Sequence, residues 1–155
     1  RSALEMHAAV MSQLEQTDVF IATAAVADWR PAHAALEKIK KDASGQMPNM
    51  GWTENPDILA LAAESARARR GELFCVGFAA ESHDLKTHAQ AKRLRKNVPL
   101  LVGNIGADTF GADDNALLLV DEHGVSDWPK ASKLALARQL VAEIATRLPA
   151  FRKTA

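Results

Sequence analysis

Four short apolar runs, separated by longer segments of helical character, constrain the fold of this chain more than any other feature of its sequence. In chain order, the runs are VFIA, LFCVGF, PLLV and ALLLV. Short runs of this composition are typical of strands that are buried on both faces of a sheet. Strands that alternate with helices pair in parallel through right-handed crossovers, with helices on both faces. We therefore predict an α/β fold with a mostly parallel sheet.

Residue types that start helices place most of the helices between these runs. Leu4, Val10, Met11 and Leu14 recur at helical spacing and indicate a first helix before the first run. Cap residues mark the later helices. The other helix starts are predicted at Asn55 (the N-cap, followed by Pro56 and Asp57), at Ser82 or Asp84, and at Ser132, whose helix is expected to end at Pro149.

The stretch between the first two apolar runs has no helical periodicity and is interrupted by prolines. Residues 38–52 are predicted to form a projecting hairpin arm with its turn near Ser44 and Gly45, because turn-forming residues divide the segment at that point.

Composition limits the class of protein and of partner. The chain has 155 residues, 48% hydrophobic and 25% charged, with a formal net charge of zero. This balance suits one folded domain and argues against binding nucleic acid or anionic membrane through bulk charge. No apolar run is long enough to span a bilayer, and a single cysteine, Cys75, excludes an internal disulfide. We expect a cytoplasmic protein and, because the chain opens with neither Met nor a strand, a piece of a longer domain.

Small residues gather at the ends of the first three apolar runs. Ligands bind beyond the carboxyl ends of the strands in open parallel sheets, and small side chains let a flat ligand approach the backbone. Tight packing of helices on the sheet is the better explanation of any one position alone, whereas three such ends together favour a pocket. The residues are Ala24, Ala25, Gly77, Ala79, Ala80 and Gly103.

Side chains would have to bind any phosphate, because the sequence holds neither GxGxxG nor a GxxxxGKS or GxxxxGKT motif. Lys92 and Lys96 share one helix face, which is either solvated or a phosphate site. Lys38 and Lys40 share one side of an extended segment, and the same two interpretations stay open. Asp28 either caps a loop or binds Mg²⁺ or ribose.

The segment Asn55-Pro56-Asp57 also has two interpretations. It is either only a helix cap, or a helix start whose free backbone N–H groups read the edge of a base. The histidines have no spacing suited to a shared metal ion, so we predict no histidine metal site.

Seven segments, which cover nearly the whole chain, carry a resemblance to a known family. They are AAVADWRP, EKIKK, NPDILA, VGFAAE, AKRLRKN, LLVGN and DDNALLL. Together, and in this order and spacing, they resemble the phosphopantothenoylcysteine synthetase domain of the bacterial coenzyme A biosynthesis bifunctional protein. That family joins a phosphopantothenoylcysteine decarboxylase to a phosphopantothenate–cysteine ligase.

The resemblance implies a Rossmann-like fold that works as a dimer or higher homo-oligomer, and a ligase that joins 4′-phosphopantothenate to L-cysteine with CTP. The substrate carboxylate attacks the α-phosphate of CTP to give an acyl-cytidylate and pyrophosphate, and the cysteine amine then displaces CMP. Both reactants of the first step are anions, so cations must shield their repulsion, and Mg²⁺ is implied as a cofactor. FMN is implied only for the decarboxylase domain.

The resemblance also implies roles for individual positions. Lys38 matches the catalytic lysine, and Asp28 is a tentative Mg²⁺ ligand. The segment from Pro56 to Ile58 matches backbone that meets cytosine, while Lys92 and Lys96 match lysines that bind the triphosphate. The implied nucleotide-binding residues are Ala24, Asp28, Lys38, Pro56, Asp57, Ile58, Phe78, Lys92 and Lys96.

Residues 1–155 correspond to the C-terminal part of the synthetase domain. We expect the Gly-rich N-terminal part of that domain and the flavin decarboxylase domain to be absent from this chain, and the isolated piece to be inactive. Two alternatives remain open: a segment of a nicotinamide-dependent oxidoreductase, and a non-catalytic dimerisation module built on the arm.

Overall fold

The computed structural model describes residues 2–33, 50–105, 109 and 111–154 of the chain, and helices and strands are interspersed along them. The helices are α1 (Ala3–Gln13, followed by a 3₁₀ turn at Leu14–Gln16), α2 (Ile58–Ala63), α3 (Ala66–Arg69), α4 (Leu85–Lys96) and α5 (Lys133–Thr154). The strands are β1 (Val19–Ala22), β2 (Trp29–Pro31), β3 (Trp52–Glu54), β4 (Phe74–Glu81), β5 (Leu100–Ile105), β6 (Asp114–Asp121) and β7 (Gly124–Ser132).

Five strands form one sheet in the order β1-β4-β5-β6-β7. β1, β4 and β5 run parallel to one another, while β6 and β7 are antiparallel to their neighbours. The predicted α/β fold, with parallel strands and helices on both faces, is confirmed. The prediction missed β7, because only the four apolar runs were expected to form strands of this sheet. β7 lies at the end of the described sheet, where a polar sequence that contains Pro129 is tolerated.

Apolar side chains cover both faces of this sheet. On one face they pack against α1, α2 and α4, and on the other against α5. The first face carries Leu73, Cys75, Ala79, Leu101, Leu118 and Val120. The second carries Phe74, Val76, Leu100, Val102, Leu117 and Leu119, which meet Leu136, Leu140 and Ile144 of α5. The alternation follows from the two-residue repeat of a strand, which sends successive side chains to opposite faces.

Cys75 is the free thiol of this core. It lies on β4 with 1% of its surface exposed, and burial raises the pKa of its thiol to about 12. A protonated, enclosed thiol behaves as a small apolar side chain, as expected from its place inside an apolar run.

Gly77 on β4 lets helix and sheet approach closely. A Cβ atom at this position would lie 2.7 Å from Cδ2 of Leu59 on α2 and 2.7 Å from Cδ1 of Leu101 on β5. Gly103 on β5 is similar but less crowded, at 2.9 Å from Cδ1 of Leu85. At both positions, close packing explains why the residue is a glycine, although the sequence pattern had also favoured a pocket there.

The start of α2 differs from the prediction. Asp57, and not Asn55, is the N-cap: its backbone is extended and its side chain accepts a hydrogen bond from the N–H of Ala60 at 3.1 Å. Asn55 is engaged elsewhere, because its side chain donates to the carbonyl of Ala27 and accepts from Arg30.

The remaining helix boundaries are partly as predicted. Ser65 starts a separate helix, α3, by accepting a hydrogen bond from the N–H of Ala68, so the segment after Asp57 is not one helix. Asp84 occupies the N-cap position of α4 without a side-chain hydrogen bond. Ser132 caps α5 as predicted, but α5 continues past Pro149 to Thr154, since one proline removes a single backbone donor and does not have to end a helix.

β2 and β3 form a separate two-stranded antiparallel sheet, in which Trp29 faces Glu54 and Pro31 faces Trp52. The indoles of Trp29 and Trp52 are more than half exposed. Most of the predicted arm, with its turn near Ser44 and Gly45, lies outside the described residues. Within the described ranges, no helix is long and apolar enough to cross a membrane.

Candidate functional site

A cleft of about 780 Å³ lies beyond the carboxyl ends of β1, β4 and β5. Its walls come from the loop after β1, the start of α2, the second half of α4 and the first half of α5. Eight of the nine residues predicted to bind a nucleotide line it, and the ninth, Lys38, lies outside the described residues. The eight are Ala24, Asp28, Pro56, Asp57, Ile58, Phe78, Lys92 and Lys96.

One wall of the cleft is apolar. Phe78 and Ala80 on β4 alternate onto the face that α5 covers, and Leu136 and Leu140 of α5 lie opposite them. Strand alternation therefore brings an aromatic ring to the mouth of the cleft. A ring and small side chains at this point suit the flat face of a base or sugar.

Asn55 holds the loop that follows β1 against the start of α2. Its side chain donates to the carbonyl of Ala27 at 2.8 Å, and its backbone N–H donates to the carbonyl of Asp28 at 2.8 Å. The guanidinium of Arg30 donates to the Asn55 side-chain oxygen at 3.1 Å. Ala24 and Asp28 are carried by this loop, so Asn55 positions two of the predicted site residues. The cap prediction missed that role because these contacts join segments more than twenty residues apart.

Both predicted phosphate-binding lysines are paired with carboxylates. Lys96 forms an ion pair with Asp57, while the Nζ atom of Lys92 lies 3.6 Å from a carboxylate oxygen of Glu81 at the end of β4. The side chain of Lys96 is 17% exposed and that of Lys92 29% exposed. The two ammonium groups are therefore held at the cleft wall and not free in solvent.

Asp57 is ionised more readily than an ordinary aspartate. Burial raises the pKa of its carboxyl, but hydrogen bonds from Lys96 and from the N–H of Ala60, together with the charges of Lys96 and Arg95, outweigh burial. The pKa of Asp57 consequently lies below its usual value.

Asp28 was predicted as a tentative Mg²⁺ ligand. It lines the cleft, and the structure places no cluster of three or more His, Cys, Asp or Glu side chains suited to a metal within the described residues. Mg²⁺ often binds proteins through one or two carboxylates and completes its shell with substrate phosphates and water. A single carboxylate in a cleft with two lysines fits that type of site, and the assignment stays a prediction.

A second polar group in the cleft was not predicted. Asn104 at the end of β5 is buried, with 7% of its surface exposed, and its side-chain nitrogen donates to Oγ1 of Thr109 at 2.9 Å. Asn115 on β6 and Lys133 at the start of α5 complete the group. Asn104 and Asn115 both fall inside segments that carry the family resemblance, and that is the signal that could have found them.

A model of the "DNA/pantothenate metabolism flavoprotein C-terminal domain" family matches residues 1–148 of this chain. Among curated proteins, the chain is 42% identical over 140 residues to the coenzyme A biosynthesis bifunctional protein CoaBC of Vibrio cholerae, covering 88% of this chain and 34% of that protein. It is 41% identical over 150 residues to CoaBC of Escherichia coli, covering 94% of this chain and 36% of that protein. The chain thus spans about a third of the length of these relatives.

Solved structures show the same fold. The C-terminal domain of a coenzyme A biosynthesis bifunctional protein CoaBC superposes with a TM-score of 0.74 at 27% identity, covering 96% of this chain and 64% of that chain. A Cab2 mutant in complex with phosphopantothenate-cysteine superposes with a TM-score of 0.66 at 17% identity, covering 92% of this chain and 49% of that chain.

Proposed function

The chain belongs to the DNA/pantothenate metabolism flavoprotein C-terminal domain family, and from this premise we propose that it supplies most of the nucleotide site of a CTP-dependent phosphopantothenate–cysteine ligase. The family match confirms the resemblance drawn from the seven sequence segments. The proposed reaction joins 4′-phosphopantothenate to L-cysteine through an acyl-cytidylate, in the cytoplasm.

One observation carries the proposal. Residues predicted for a nucleotide site come from the β1 loop, the start of α2, β4 and α4, and they line a single cleft. The names of the relatives add support, since one solved neighbour holds phosphopantothenate-cysteine, the product of such a ligase.

The lysines of the cleft suit the chemistry of the proposed first step. A carboxylate must approach the α-phosphate of CTP, and both groups are anionic. Lys92 and Lys96 lower that repulsion by binding the β- and γ-phosphates, which also prepares pyrophosphate to leave. On binding, the triphosphate would replace the carboxylates of Glu81 and Asp57 as the partners of Lys92 and Lys96.

Lys38 is proposed as the residue that stabilises charge at the α-phosphate while the carboxylate adds. Asp28 is proposed to hold Mg²⁺, which would supply further charge neutralisation on the phosphates. FMN belongs, in this proposal, to a separate decarboxylase domain. The 155-residue piece by itself is expected to be inactive, because the Gly-rich part of the synthetase domain would supply the rest of the substrate site.

The proposal is tested with the full-length protein that carries this sequence. Incubation with CTP, 4′-phosphopantothenate and L-cysteine should give pyrophosphate, CMP and phosphopantothenoylcysteine, whereas ATP in place of CTP should give much less product. Absence of CTP-dependent product, together with binding of a nicotinamide cofactor, would favour the oxidoreductase alternative instead.

Lys38→Gln isolates the proposed catalytic lysine. It keeps side-chain length but removes the charge, and turnover should fall about a hundredfold or more, as for loss of one transition-state donor. Pyrophosphate release without cysteine measures this first half-reaction. Lys86→Gln is the matched control, because Lys86 lies outside the cleft and pairs with Asp127. A normal rate in Lys38→Gln would exclude this role and would fit the dimerisation-module alternative.

A further inference from the structure

Glu81, the last residue of β4, lies beside two basic side chains of α4. Strand alternation puts it on the same face of the sheet as Ala79, the face that α4 covers. One carboxylate oxygen of Glu81 lies 3.6 Å from Nζ of Lys92, and the other lies 3.7 Å from Nδ1 of His88. His88 and Lys92 are one turn apart and share a face of α4. Of these three residues, only Lys92 is among the described residues that line the cleft.

The two carboxylates that hold the cleft lysines differ in what they retain when a triphosphate takes those lysines. Asp57 would keep the hydrogen bond from the N–H of Ala60 that caps α2. Glu81 accepts no hydrogen bond from the described residues, and its side chain is only 22% exposed. Without Lys92 it would be a partly buried anion close to the charges of the triphosphate. A carboxylate in that position needs another cation.

His88 is already placed to become that cation. Histidine is the side chain whose ordinary change of charge falls between about pH 5 and 8. A protonated imidazole carries N–H groups on both ring nitrogens, so Nδ1 of His88 would become a donor toward Glu81. The same positive charge would repel Lys92 one turn along the helix and so favour its movement into the cleft.

Among the described residues, the other titratable groups around His88 are His83 and Asp84, together with Lys92 on its own helix. The rings of His83 and His88 meet edge to face with centroids 5.2 Å apart, but Nδ1 of His83 lies 2.8 Å from the hydroxyl of Ser82. Asp84 lies one turn before His88, and its carbonyl accepts the backbone N–H of His88 at 3.1 Å. His83 therefore faces Ser82, and Asp84 is an anion, so neither can replace Lys92 beside the carboxylate of β4.

We propose that Glu81 and His88 couple the binding of a triphosphate at Lys92 to the uptake of a proton. In the free protein, Lys92 is the cation beside Glu81. When the triphosphate takes Lys92, a proton from solvent adds to the imidazole of His88, which then neutralises Glu81. Coupling between two sites is reciprocal, so protonation of His88 also strengthens binding of the triphosphate. This inference rests on the nucleotide site proposed above.

Isothermal titration calorimetry of CTP into the full-length protein tests the coupling. At pH 8 an imidazole is mostly neutral, and His88→Asn should bind CTP as the parent does. At pH 6 the variant should bind about fivefold or more weakly than the parent, which is the lower end of coupling between two sites. Titrations at pH 7 in two buffers of different ionisation enthalpy count the protons, and the parent should take up more of them per CTP than His88→Asn.

The terminal phosphate of CTP also titrates near pH 6, but it does so for every variant, so the comparison with the parent isolates the protein. His123→Asn is the matched control, because His123 is an exposed histidine that lies 3.6 Å from Glu122 and outside the cleft. It should match the parent at both pH values. His83→Asn should also retain the proton uptake. His88 is 42% exposed, so its replacement should not disturb the core, and circular dichroism checks the fold.

Glu81→Gln removes the carboxylate for which Lys92 and His88 compete. It should lose the additional proton uptake, and its affinity for CTP at pH 8 should be no weaker than that of the parent. Weaker binding by the same factor at pH 6 and pH 8 would mean that Glu81 has only a structural role. Parent-like proton uptake in His88→Asn, or loss of that uptake in His83→Asn alone, would overturn the proposal.

Inorganic triphosphate, which has no base or sugar, separates this proposal from the ligase function. If the parent binds it with proton uptake that depends on His88 but releases no pyrophosphate from CTP, the coupling is supported and the ligase function is contradicted. If CTP-dependent ligation proceeds and His88→Asn takes up as many protons as the parent, the function is supported and the coupling is contradicted. A parent that binds neither CTP nor inorganic triphosphate contradicts both.

Discussion

Asp57 uses its two carboxylate oxygens for two different elements. One accepts a hydrogen bond from the N–H of Ala60 and caps α2, and the other pairs with Lys96 on α4. The backbone predicted to meet cytosine is thereby connected to a lysine predicted to meet the triphosphate.

The lowered pKa of Asp57 predicts a pH-dependent contribution to stability. A depressed pKa in the folded state stabilises the protein above the unfolded-state pKa of about 3.9, and this contribution is lost as pH falls through the folded-state pKa. Asp57→Asn keeps a good N-cap and removes the charge. It should be less stable than the parent near neutral pH, and the difference should vanish in acid.

Urea unfolding across a pH series measures this effect. Asp127→Asn is the control, since Asp127 pairs with Lys86 at an exposed position where ion pairs contribute little. Equal stability of Asp57→Asn and the parent at neutral pH would mean that the pair with Lys96 does not stabilise the fold.

Lys92 and Lys96 are predicted to bind the triphosphate of CTP. Replacing either by Ala should raise the KM for CTP about tenfold or more, because each loses a charge-assisted hydrogen bond. Lys86→Ala, on the same helix but outside the cleft, should leave that KM unchanged. Steady-state kinetics at varied CTP concentration measures this KM. An unchanged KM in both cleft variants would mean that this helix face does not bind the triphosphate.

The residues of the site were predictable to different degrees. The spacing of Lys92 and Lys96 places them on one helix face, and Asp28 follows a strand, but their assignment to a nucleotide site came from the family resemblance. Asn104, Thr109, Asn115 and Lys133 did not, because their relation depends on which strands become neighbours and on the start of α5. A hydrogen bond between residues on different elements leaves no periodic trace in a sequence.

Among the elements, β4 sets how closely a helix can approach the sheet. Gly77→Ala would place a Cβ atom 2.7 Å from Leu59 on one side and from Leu101 on the other. Both distances are below 3.0 Å, so both leucines must move, and Leu101 is fully buried. Overpacking of this kind costs about 1–3 kcal/mol, partly offset by about 0.4–1 kcal/mol from the less flexible unfolded chain.

Gly77→Ala should therefore lower the free energy of unfolding measured in urea, and Leu59→Val in the same protein should restore part of it by removing the clashing methyl group. Gly103→Ala is the milder comparison, because its nearest contact is longer at 2.9 Å. A Gly77→Ala protein as stable as the parent would show that the leucines repack without cost.

Element types were easier to predict than element boundaries. The buried strands β1, β4, β5 and β6 are continuous apolar runs, which few other structures accommodate. β7 escaped prediction because it is a polar strand at the end of the described sheet, with Pro129 inside it. The cap of α2 was assigned to Asn55 because Asn, Pro and Asp are all good start residues. Only the tertiary contacts of Asn55 decide that Asp57 does the capping.

At the scale of the whole molecule, the family resemblance predicts a dimer, and the composition of the arm, residues 38–52, predicts that it becomes ordered by packing against the second copy. The arm has too few large apolar residues to form a core of its own. Light scattering on the full-length protein should give the mass of a dimer or larger oligomer at micromolar concentration. Replacing residues 40–51 with a short Gly-Ser linker, which retains Lys38, should shift that mass toward the monomer; a monomeric parent would contradict the prediction.

The rate at which reagents label the enclosed thiol of Cys75 can be used to measure opening of this sheet. Thiol reagents attack the thiolate. Cys75 is only 1% exposed, so reagents cannot reach it, and its pKa of about 12 keeps the thiol protonated. Modification must wait until β4 separates from its neighbours. The labelling rate, set against that of an unfolded chain, therefore reports the free energy of opening at the strand between β1 and β5. Any ligand that binds only the closed sheet would slow the labelling in proportion to its occupancy.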